Sequence, residues 1–506
     1  MLDVLGKSKW LVAPVFFAFC VAPTFISYQP YFFRWDDSDY LQRSIAVSRA
    51  FWSANVHGLG VAMVSIRPPA MTLLGLPWGP LGSWDAAGKC FITLAAVISL
   101  LAASCLYLLL RIGVKPFFIM IASACLLASI GPYPRGGTVH AVGTAFMADG
   151  LFGWTTLAAV LLIPYEVRTP CPSIRDALGR GILWGSILSL GVMTKLSFLY
   201  FILLIVPALF VIKLRHAGPR RALATLIAFA CWSAPSAIYL VRWGGSAFDD
   251  AKASSFGPLA TLYYHPLLQF LDSTIRESPG LVFSFVLTAA ALIYLVIKRR
   301  INLLGPDFLA LLIMIGFGIV VLSSTNRVIR FEFPAIVALP FMVGILMSGK
   351  GHPVPGPSAA FAASLVFCGL LGAGVPTRHR ANRQSLGRCD AVLAQAARCN
   401  AQRIMLATDS PTLNQNLMNL AIEVSVSGTS VNVGTLAYQA MSGVPIEAAF
   451  RAISKSDQVV FQDSEALSPA FTNQRATEYE QYIRQGGHVP IRVGDDLTLY
   501  SMRCRP

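Results

Sequence analysis

The sequence has 506 residues, of which 55% are hydrophobic and only 13% are charged, with a mean hydropathy of +0.61 and a formal net charge of +15. Soluble globular proteins carry about 25% charged residues, so this composition excludes that class and indicates a polytopic membrane protein. The basic excess is typical of cytoplasmic loops, and it also suits anionic lipid or phosphate ligands. No basic stripe with interleaved aromatic residues occurs in a polar segment, so we expect membrane lipids and no nucleic acid as partners.

About eleven apolar runs are interpreted as membrane crossings, although some are shorter than the roughly 20 residues that a spanning helix needs. The first run, 10–28, follows Lys7 and Lys9 and lacks a convincing cleavage site. It therefore predicts an uncleaved signal anchor with a cytoplasmic N-terminus. The other runs lie at 91–110, 117–130, 141–164, 181–193, 196–212, 222–241, 281–297, 308–323, 331–347 and 359–375.

Alternate threading of these runs places most basic clusters on the cytoplasmic side, as the positive-inside rule requires. Residues 29–90 then form a long first outer loop. Within it, residues 40–52 place Leu41, Ile45 and Trp52 on one helical stripe. This pattern predicts a helix along the membrane interface, with an ordinary amphipathic surface helix as the alternative.

After residue 375 the sequence becomes polar, which predicts a transmembrane module over 1–375 and a soluble extracytoplasmic α/β domain over 376–506. We expect strands at 403–408 and 457–462, a helix beginning at Asp409-Ser410-Pro411, a helix over 473–485 and a hairpin over 491–502. The domain has neither a Gly-x-Gly-x-x-Gly motif nor a phosphate loop, so we assign it no nucleotide. An odd number of crossings places it outside the cell, where disulfides form. Cys389 with Cys399 is the preferred pair, and Cys504 is an alternative partner for either.

The stretch Arg34-Trp35-Asp36-Asp37-Ser38-Asp39-Tyr40 places three carboxylates in four positions at the membrane edge. Clustered carboxylates repel one another and resist leaving water, so they are costly to hold at a membrane edge. The stretch is therefore either a solvated acidic loop or an acid–base site. A carboxylate can take a proton from a hydroxyl nucleophile, and nearby basic groups can stabilise a departing phosphate. The outer face also collects basic residues from several loops. This combination predicts transfer of a group from a lipid-linked phosphate donor to a hydroxyl.

The same stretch resembles the Asp-Glu-x-x-Tyr signature of GT-C glycosyltransferases, in their protein O-mannosyltransferase-like and aminoarabinose-transferase-like branch. Four further segments resemble motifs of that branch in order, and the five together span residues 35–340. They are Arg67-Pro68-Pro69 for Lys-Pro-Pro, Ala148-Asp149-Gly150-Leu151 for Thr-Asp-x-x, Gly191-Val192-Met193-Thr194-Lys195 for Gly-x-x-Thr-Lys, and Arg330-Phe331-Glu332-Phe333-Pro334 with Pro340 for Arg-Tyr-x-x-Pro-x-x-Pro.

The resemblance implies a GT-C fold, a polyprenyl-phosphate sugar donor and inversion at the anomeric carbon, with no cofactor and no catalytic metal. Asp36 takes the position of the family's catalytic aspartate and Asp37 that of its adjacent glutamate, so either of them is the candidate base. Arg67 in place of lysine keeps the charge and adds a planar fork that suits phosphate oxygens. Candidate catalytic residues are Asp36, Asp37 and Asp149, and candidate donor-phosphate-binding residues are Arg67, Lys195, Arg327, Arg330, Tyr264 and His265.

Each candidate also has a purely structural alternative. Asp149 can lie at the water boundary, Lys195 can snorkel to the interface, and the other basic or aromatic candidates can anchor the chain at lipid headgroups. For the whole protein, the alternatives are a flippase or transporter of lipid-linked sugars and a non-catalytic envelope assembly factor. The polar motifs crowd at the outer ends of the runs, and no internal repeat is evident, which disfavours a transporter. We therefore expect a glycosyltransferase of the plasma (inner) membrane, with its active site and C-terminal domain facing the periplasm or the outside and its acceptor a hydroxyl of a cell-envelope glycolipid, polysaccharide or protein.

Overall fold

The structure is a computed structural model. It describes residues 35–63, 68–81, 85–115, 118–119, 121–123, 126, 148–256, 266–277, 279–297, 305–323, 333–348, 379–407, 410, 413–424, 431–436, 445–462, 473–493 and 496–503. In chain order the helices of the first part are α1 Trp35–Trp52, α2 Val56–Met63, a 3-10 helix Thr72–Trp78, α3 Asp85–Arg111, α4 Ala148–Arg168, α5 Ile174–Thr194, α6 Leu199–Ala217, α7 Pro219–Phe256, α8 Leu267–Glu277, α9 Pro279–Ile297, α10 Pro306–Ser323 and α11 Phe333–Met347.

Five helices among the described residues are long and apolar enough to cross a membrane. They are Ala148–Arg168, Ile174–Thr194, Leu196–Ala217, Pro219–Ser246 and Pro306–Ser323. Three shorter apolar helices, Ala96–Arg111, Thr288–Ile297 and Pro334–Met347, coincide with three further predicted runs. The multi-pass membrane architecture is thus confirmed. The runs at 10–28 and 359–375 lie outside the described residues and 117–130 is described only in part, so the number of crossings stays a prediction.

Helix α4 is the centre of the bundle. It is apolar on every side, as is typical of a helix surrounded by protein, and 94% of its most apolar stretch is buried. Helices α3, α5, α6, α10 and α11 all pack against it. At 1.5 Å per residue its 21 residues extend about 30 Å. The acidic residues near its two ends, Asp149 and Glu166, therefore lie at opposite ends of the bundle.

The predicted long outer loop is largely helical, because α1, α2 and the 3-10 helix occupy most of it. The predicted stripe on α1 is buried at Leu41 and Ile45, but Trp52 is 52% exposed. Its indole instead lies at the surface, where Nε1 donates to the Leu76 carbonyl at 2.8 Å. Residue 75 must be glycine-sized, since a Cβ there would lie 2.8 Å from Ser44 Oγ. The 3-10 helix is thus pressed against α1.

The C-terminal residues form a five-stranded sheet with flanking helices. The elements are α12 His379–Arg398, β1 Arg403–Leu406, α13 Gln415–Val424, β2 Asn432–Thr435, α14 Ile446–Lys455, β3 Gln458–Gln462, α15 Asn473–Gln485, β4 Pro490–Val493 and β5 Leu497–Ser501. The strand order is β2-β1-β3-β5-β4, with β1 parallel to β2 and β3, and β5 antiparallel to β3 and β4. The predicted strands, the helix over 473–485 and the closing hairpin are confirmed.

The predicted helix start at Asp409-Ser410-Pro411 is wrong, because α13 begins at Gln415. Ser410 instead forms a small turn in which its backbone N–H donates to the Leu413 carbonyl at 3.0 Å. Asn414 then supplies the cap, since its Oδ1 accepts the Leu417 N–H at 2.9 Å.

The preferred disulfide, Cys389 with Cys399, is also wrong. Cys389 is a buried free thiol whose pKa is raised by that burial, whereas Cys399 is disulfide-bonded. The two residues are separated by ten positions along α12, a rise of about 15 Å, and a disulfide needs Cα atoms within about 7 Å. The other described cysteines are free, so the partner of Cys399 lies beyond the described residues, as the alternative Cys504 does.

The hairpin turn is tied to the rest of the domain through Asp496. Two guanidinium nitrogens of Arg388 donate to the Asp496 carboxylate, Nε to Oδ1 at 3.1 Å and Nη2 to Oδ2. Gln462 Nε2 also donates to Oδ2, at 3.1 Å. Burial of this carboxyl opposes ionisation, but these hydrogen bonds together outweigh it and lower the pKa of Asp496. The ionised form therefore stabilises the hairpin.

One arginine joins the predicted loop 29–90 to the C-terminal sheet domain. Arg49 on α1 donates to the Glu423 side chain and to the Glu423 carbonyl of α13, each at 2.7 Å. Its Nε also donates to the Leu81 carbonyl. Helices α1 and α13 pack against each other over this contact. The C-terminal domain therefore sits at the same end of the molecule as residues 35–52.

Candidate functional site

Two predicted site residues that are 46 positions apart form an ion pair. Lys195 Nζ contacts Asp149 Oδ1, and the side chains are 25% and 7% exposed respectively. Asp149 lies in the first turn of α4, where the positive end of the helix dipole favours a carboxylate. Lys195 Nζ also lies 5.6 Å from the centroid of the Phe152 ring, close enough for a cation–π contact. The structure thus brings a candidate acid and a candidate phosphate ligand together at one end of the central helix.

The end of α5 explains how Lys195 is positioned. The backbone of Lys195 is extended (φ −156°, ψ 132°), so helix α5 ends at Thr194. The Lys195 N–H donates to the Gly191 carbonyl at 2.9 Å. Gly191 is required by a close approach, since a Cβ there would lie 2.3 Å from the Phe198 ring. Phe198 in turn packs edge-on against Phe152 at 6.0 Å between centroids. The first and last residues of this motif therefore fold the chain back and aim Lys195 at Asp149.

The segment after Arg67 is fastened to this same turn. The N–H of Ala70 donates to the Met193 carbonyl at 2.7 Å, two residues before Lys195. Pro68 and Pro69 are buried, and the Pro69 carbonyl accepts from the Thr72 hydroxyl at 2.7 Å, which starts the 3-10 helix. Arg67 itself lies outside the described residues. Its chain neighbours nevertheless show that two of the five motifs meet in space.

Asp36 and Asp37 lie in the first turn of α1, and their side chains are not among the described ones. The next turn is well packed. Asp39 is buried and pairs with Arg43 Nε at 3.0 Å, so this third carboxylate is engaged within its own helix. Ser38 Oγ is buried and has no hydrogen-bond partner in the described part of the chain. Helix α1 packs against the 3-10 helix, and Ala70, which precedes that helix, bonds to the turn before Lys195.

The remaining predicted donor-binding residues, Tyr264, His265, Arg327 and Arg330, lie outside the described residues, so their placement stays a prediction. Within the described ranges, no three His, Cys, Asp or Glu side chains lie close enough together to hold a metal ion. The predicted absence of a metal remains an expectation.

Sequence reasoning missed the partners that hold the site. Phe152 under the lysine, and the contact of Glu423 with Arg49, join residues far apart in the chain. The Phe152 position has one detectable signal, because it follows Asp149 by three residues and shares its helix face. The Glu423 contact has no local signal, since it depends on how the C-terminal domain docks.

In the Asp149–Lys195 pair, the lysine ammonium group lies between a carboxylate and the buried ring of Phe152. An ammonium group that is partly withdrawn from water interacts more strongly with a neighbouring charge than one in water does, and here that neighbour is the Asp149 carboxylate. The carboxylate fixes its position before any ligand arrives, which lowers the cost of ordering it. The arrangement thus holds a cation and a carboxylate in fixed positions at this end of the bundle.

No protein-family profile and no curated protein matches the sequence. Two solved structures do, both of ArnT from Cupriavidus metallidurans. The structure bound to undecaprenyl phosphate is 14% identical with a TM-score of 0.52, and the match covers 99% of each chain. The apo structure is 13% identical with a TM-score of 0.52, covering 99% of this chain and 100% of that one. The likeness includes the transmembrane helices and the C-terminal sheet, so this chain has the fold of ArnT, the polytopic GT-C fold that its motifs predict.

Proposed function

We propose that the protein is a glycosyltransferase that moves a sugar from a polyprenyl-phosphate donor to a hydroxyl acceptor. The observation that supports it best is the Asp149–Lys195 pair, with the segment after Arg67 fastened beside it. Two separate motifs with phosphate-suited residues thus converge at one end of the central helix. The fold shared with ArnT, which has been solved with undecaprenyl phosphate, supports the same kind of donor.

In the proposed reaction, the acceptor oxygen forms a bond to the anomeric carbon as the bond from that carbon to the phosphate oxygen breaks. The configuration inverts, and the polyprenyl phosphate leaves with the electron pair. Asp36 or Asp37 takes the proton from the acceptor hydroxyl. Lys195 and Arg67 stabilise the charge that develops on the phosphate. Asp149 positions Lys195 for that role.

The proposed site faces the periplasm or the outside, and the N-terminus faces the cytoplasm. The docking of α13 onto α1 through Arg49 and Glu423 supports this arrangement, because it places the C-terminal domain on the side of the first outer loop. A disulfide at Cys399 also suits an oxidising compartment. The C-terminal domain then covers the edge of the site, where we expect it to position the acceptor.

The proposal is tested with purified protein, an acceptor-containing membrane extract and a panel of polyprenyl-phosphate sugars, by following the release of free polyprenyl phosphate by mass spectrometry. The parent releases it from one donor. Asp36→Asn or Asp37→Asn abolishes release while donor binding persists, whereas the exposed Asp249→Asn on α7 behaves like the parent. Failure of the parent to bind any donor would contradict the proposal.

A further inference from the structure

A second charge cluster lies at the end of the bundle opposite to Lys195. Glu166 near the end of α4 accepts from Arg180 Nη1 of α5 at 2.7 Å and from Lys213 Nζ of α6 at 2.8 Å. The Trp184 indole donates to its other oxygen at 3.1 Å. All three charged side chains are buried, with exposures of 0% for Glu166, 9% for Arg180 and 2% for Lys213. The proposed glycosyl transfer makes no use of this cluster.

The cluster is not electrically balanced. Two cations share one carboxylate, which leaves an excess positive charge on side chains that are almost entirely buried. Charges out of water are costly unless they are fully paired. Lys213 has three N–H donors, and within the described part of the chain only Glu166 accepts from it. The group that would balance this lysine is an anion.

A cavity of about 300 Å³ opens beside Lys213. Its lining includes the side chains of Glu166, Arg168, Lys213 and His216 and the chain at 169–171. Arg168 is already engaged by Asp307 and by the Ile112 carbonyl. Glu166 accepts three hydrogen bonds, so its negative charge is directed at its own partners rather than at the cavity. Lys213 is therefore the unsatisfied charged donor at this wall.

The loop beneath the cavity is held in place rather than open. Arg180 donates to the Thr169 carbonyl at 3.1 Å and to the Pro170 carbonyl, and Arg221 donates to the Cys171 carbonyl at 2.7 Å. Ser173 and Asp176 then form a capping box that starts α5. The cavity thus has fixed walls before a ligand arrives, as binding sites generally do.

We propose that this cavity binds a phosphate group, either on the headgroup of an anionic lipid or as inorganic phosphate, at the membrane face opposite to the sugar-transfer site. The ligand's oxygens accept from Lys213, and His216 lies at the rim. The inference is independent of the proposed glycosyl transfer, since it uses neither Lys195 nor the residues of the first outer loop.

The alternative is that the ion pairs of Glu166 with Arg180 and Lys213 only hold helices α4, α5 and α6 together and bind no ligand. Lys213→Met removes both a hydrogen bond to Glu166 and the excess buried charge, and these two losses act on stability in opposite directions, so the stability without ligand does not separate the two roles. A binding site also predicts a ligand-dependent rise in Tm that depends on Lys213. Ala217→Trp places a bulky group at the cavity wall and leaves the charge cluster intact, which gives a second variant that does not remove a buried charge.

The test uses the full chain in a phosphate-free detergent. Tm and native mass spectra are recorded with inorganic phosphate, with a short-chain phosphatidylglycerol and with the matching diacylglycerol. We expect a phosphate-bearing probe to raise the Tm of the parent, and its affinity to fall at least tenfold in Lys213→Met and Ala217→Trp. Arg215→Ala, which removes an exposed cation two residues away, keeps the rise.

A rise with phosphatidylglycerol alone identifies a lipid headgroup, and a rise with both phosphate probes identifies the phosphate group itself. A response to diacylglycerol equal to that of phosphatidylglycerol overturns the proposal, as does a parent without any response. An equal rise in the parent and in both cavity variants also overturns it, because the phosphate would then bind elsewhere.

Discussion

Replacing Lys195 by methionine separates phosphate binding from packing at the candidate site. The change removes the charge and leaves Asp149, 7% exposed, without this counterion. Removing one partner costs about 3–5 kcal/mol for a fully buried pair and under about 1 kcal/mol for a surface pair. With Lys195 25% exposed, we expect a loss of about 2–3 kcal/mol in the free energy of unfolding. A lost charged hydrogen bond to the donor phosphate, about 1.5–3 kcal/mol, weakens donor binding about 10- to 150-fold.

The double variant Asp149→Asn with Lys195→Met makes the distinction sharp. It leaves no unpaired charge, so stability returns to within about 1 kcal/mol of the parent, since a neutral replacement of a buried pair is often tolerated. Donor binding stays weak, because position 195 still lacks a cation. Both quantities are measured on the same preparations, by thermal unfolding and by titration with a polyprenyl-phosphate sugar. Parental donor affinity in the double variant would refute the assignment of Lys195 to phosphate binding.

Three further changes test the turn before Lys195, the contact between α1 and α13, and the hairpin of the C-terminal domain. Gly191→Ala destabilises the protein by about 1–3 kcal/mol and lowers activity, because a methyl group there meets a buried aromatic ring, whereas Gly179→Ala on the same helix has open space and raises the Tm slightly. Arg49→Ala removes three hydrogen bonds and speeds hydrogen exchange in the helix containing Glu423, with little change in donor binding. The pKa of Asp496 is lower in the folded protein than in the unfolded chain, so its ionised carboxylate stabilises the hairpin above the unfolded pKa of about 4. This stability is lost as the pH falls from there through the lowered folded pKa. We therefore expect Asp496→Asn to reduce the dependence of Tm on pH in acid.

Each of these has a clear contrary result. Equal effects of Gly191→Ala and Gly179→Ala would mean that the turn before Lys195 does not depend on close packing. Unchanged exchange rates in Arg49→Ala would mean that the two parts of the chain are held together elsewhere. An acid limb unaffected by Asp496→Asn would assign the pH dependence to other carboxylates.

The sequence predicted those parts of the fold whose signals are local. Long apolar runs are sufficient for the spanning helices, and helix α15 lies over 473–485, as predicted. The hairpin followed from a Gly-Asp-Asp turn between two alternating segments. In each case the period and the turn chemistry lie within about a dozen residues.

The errors arose where a distant partner decides the local structure. Strand β2 has four residues and includes a glycine, so it was not predicted, and it exists because β1 pairs with it. The helix start at Pro411 was plausible from its cap residues, but Ser410 is engaged by Gln462 at 2.6 Å across the sheet. The same holds for the candidate site, where the motifs named Asp149 and Lys195 but no local pattern predicted that they would touch.

Release of free polyprenyl phosphate by the parent, by Asp36→Asn, by Asp37→Asn and by the double variant, in the presence of acceptor-containing membrane extract, is the measurement closest to the central claim. The account predicts that the parent releases it from one sugar donor, and that the double variant and one of the two single variants bind this donor with parental affinity but release none. Release at the parental rate by Asp36→Asn, by Asp37→Asn and by the double variant would contradict it, because the chemistry would then not depend on either carboxylate at the start of α1.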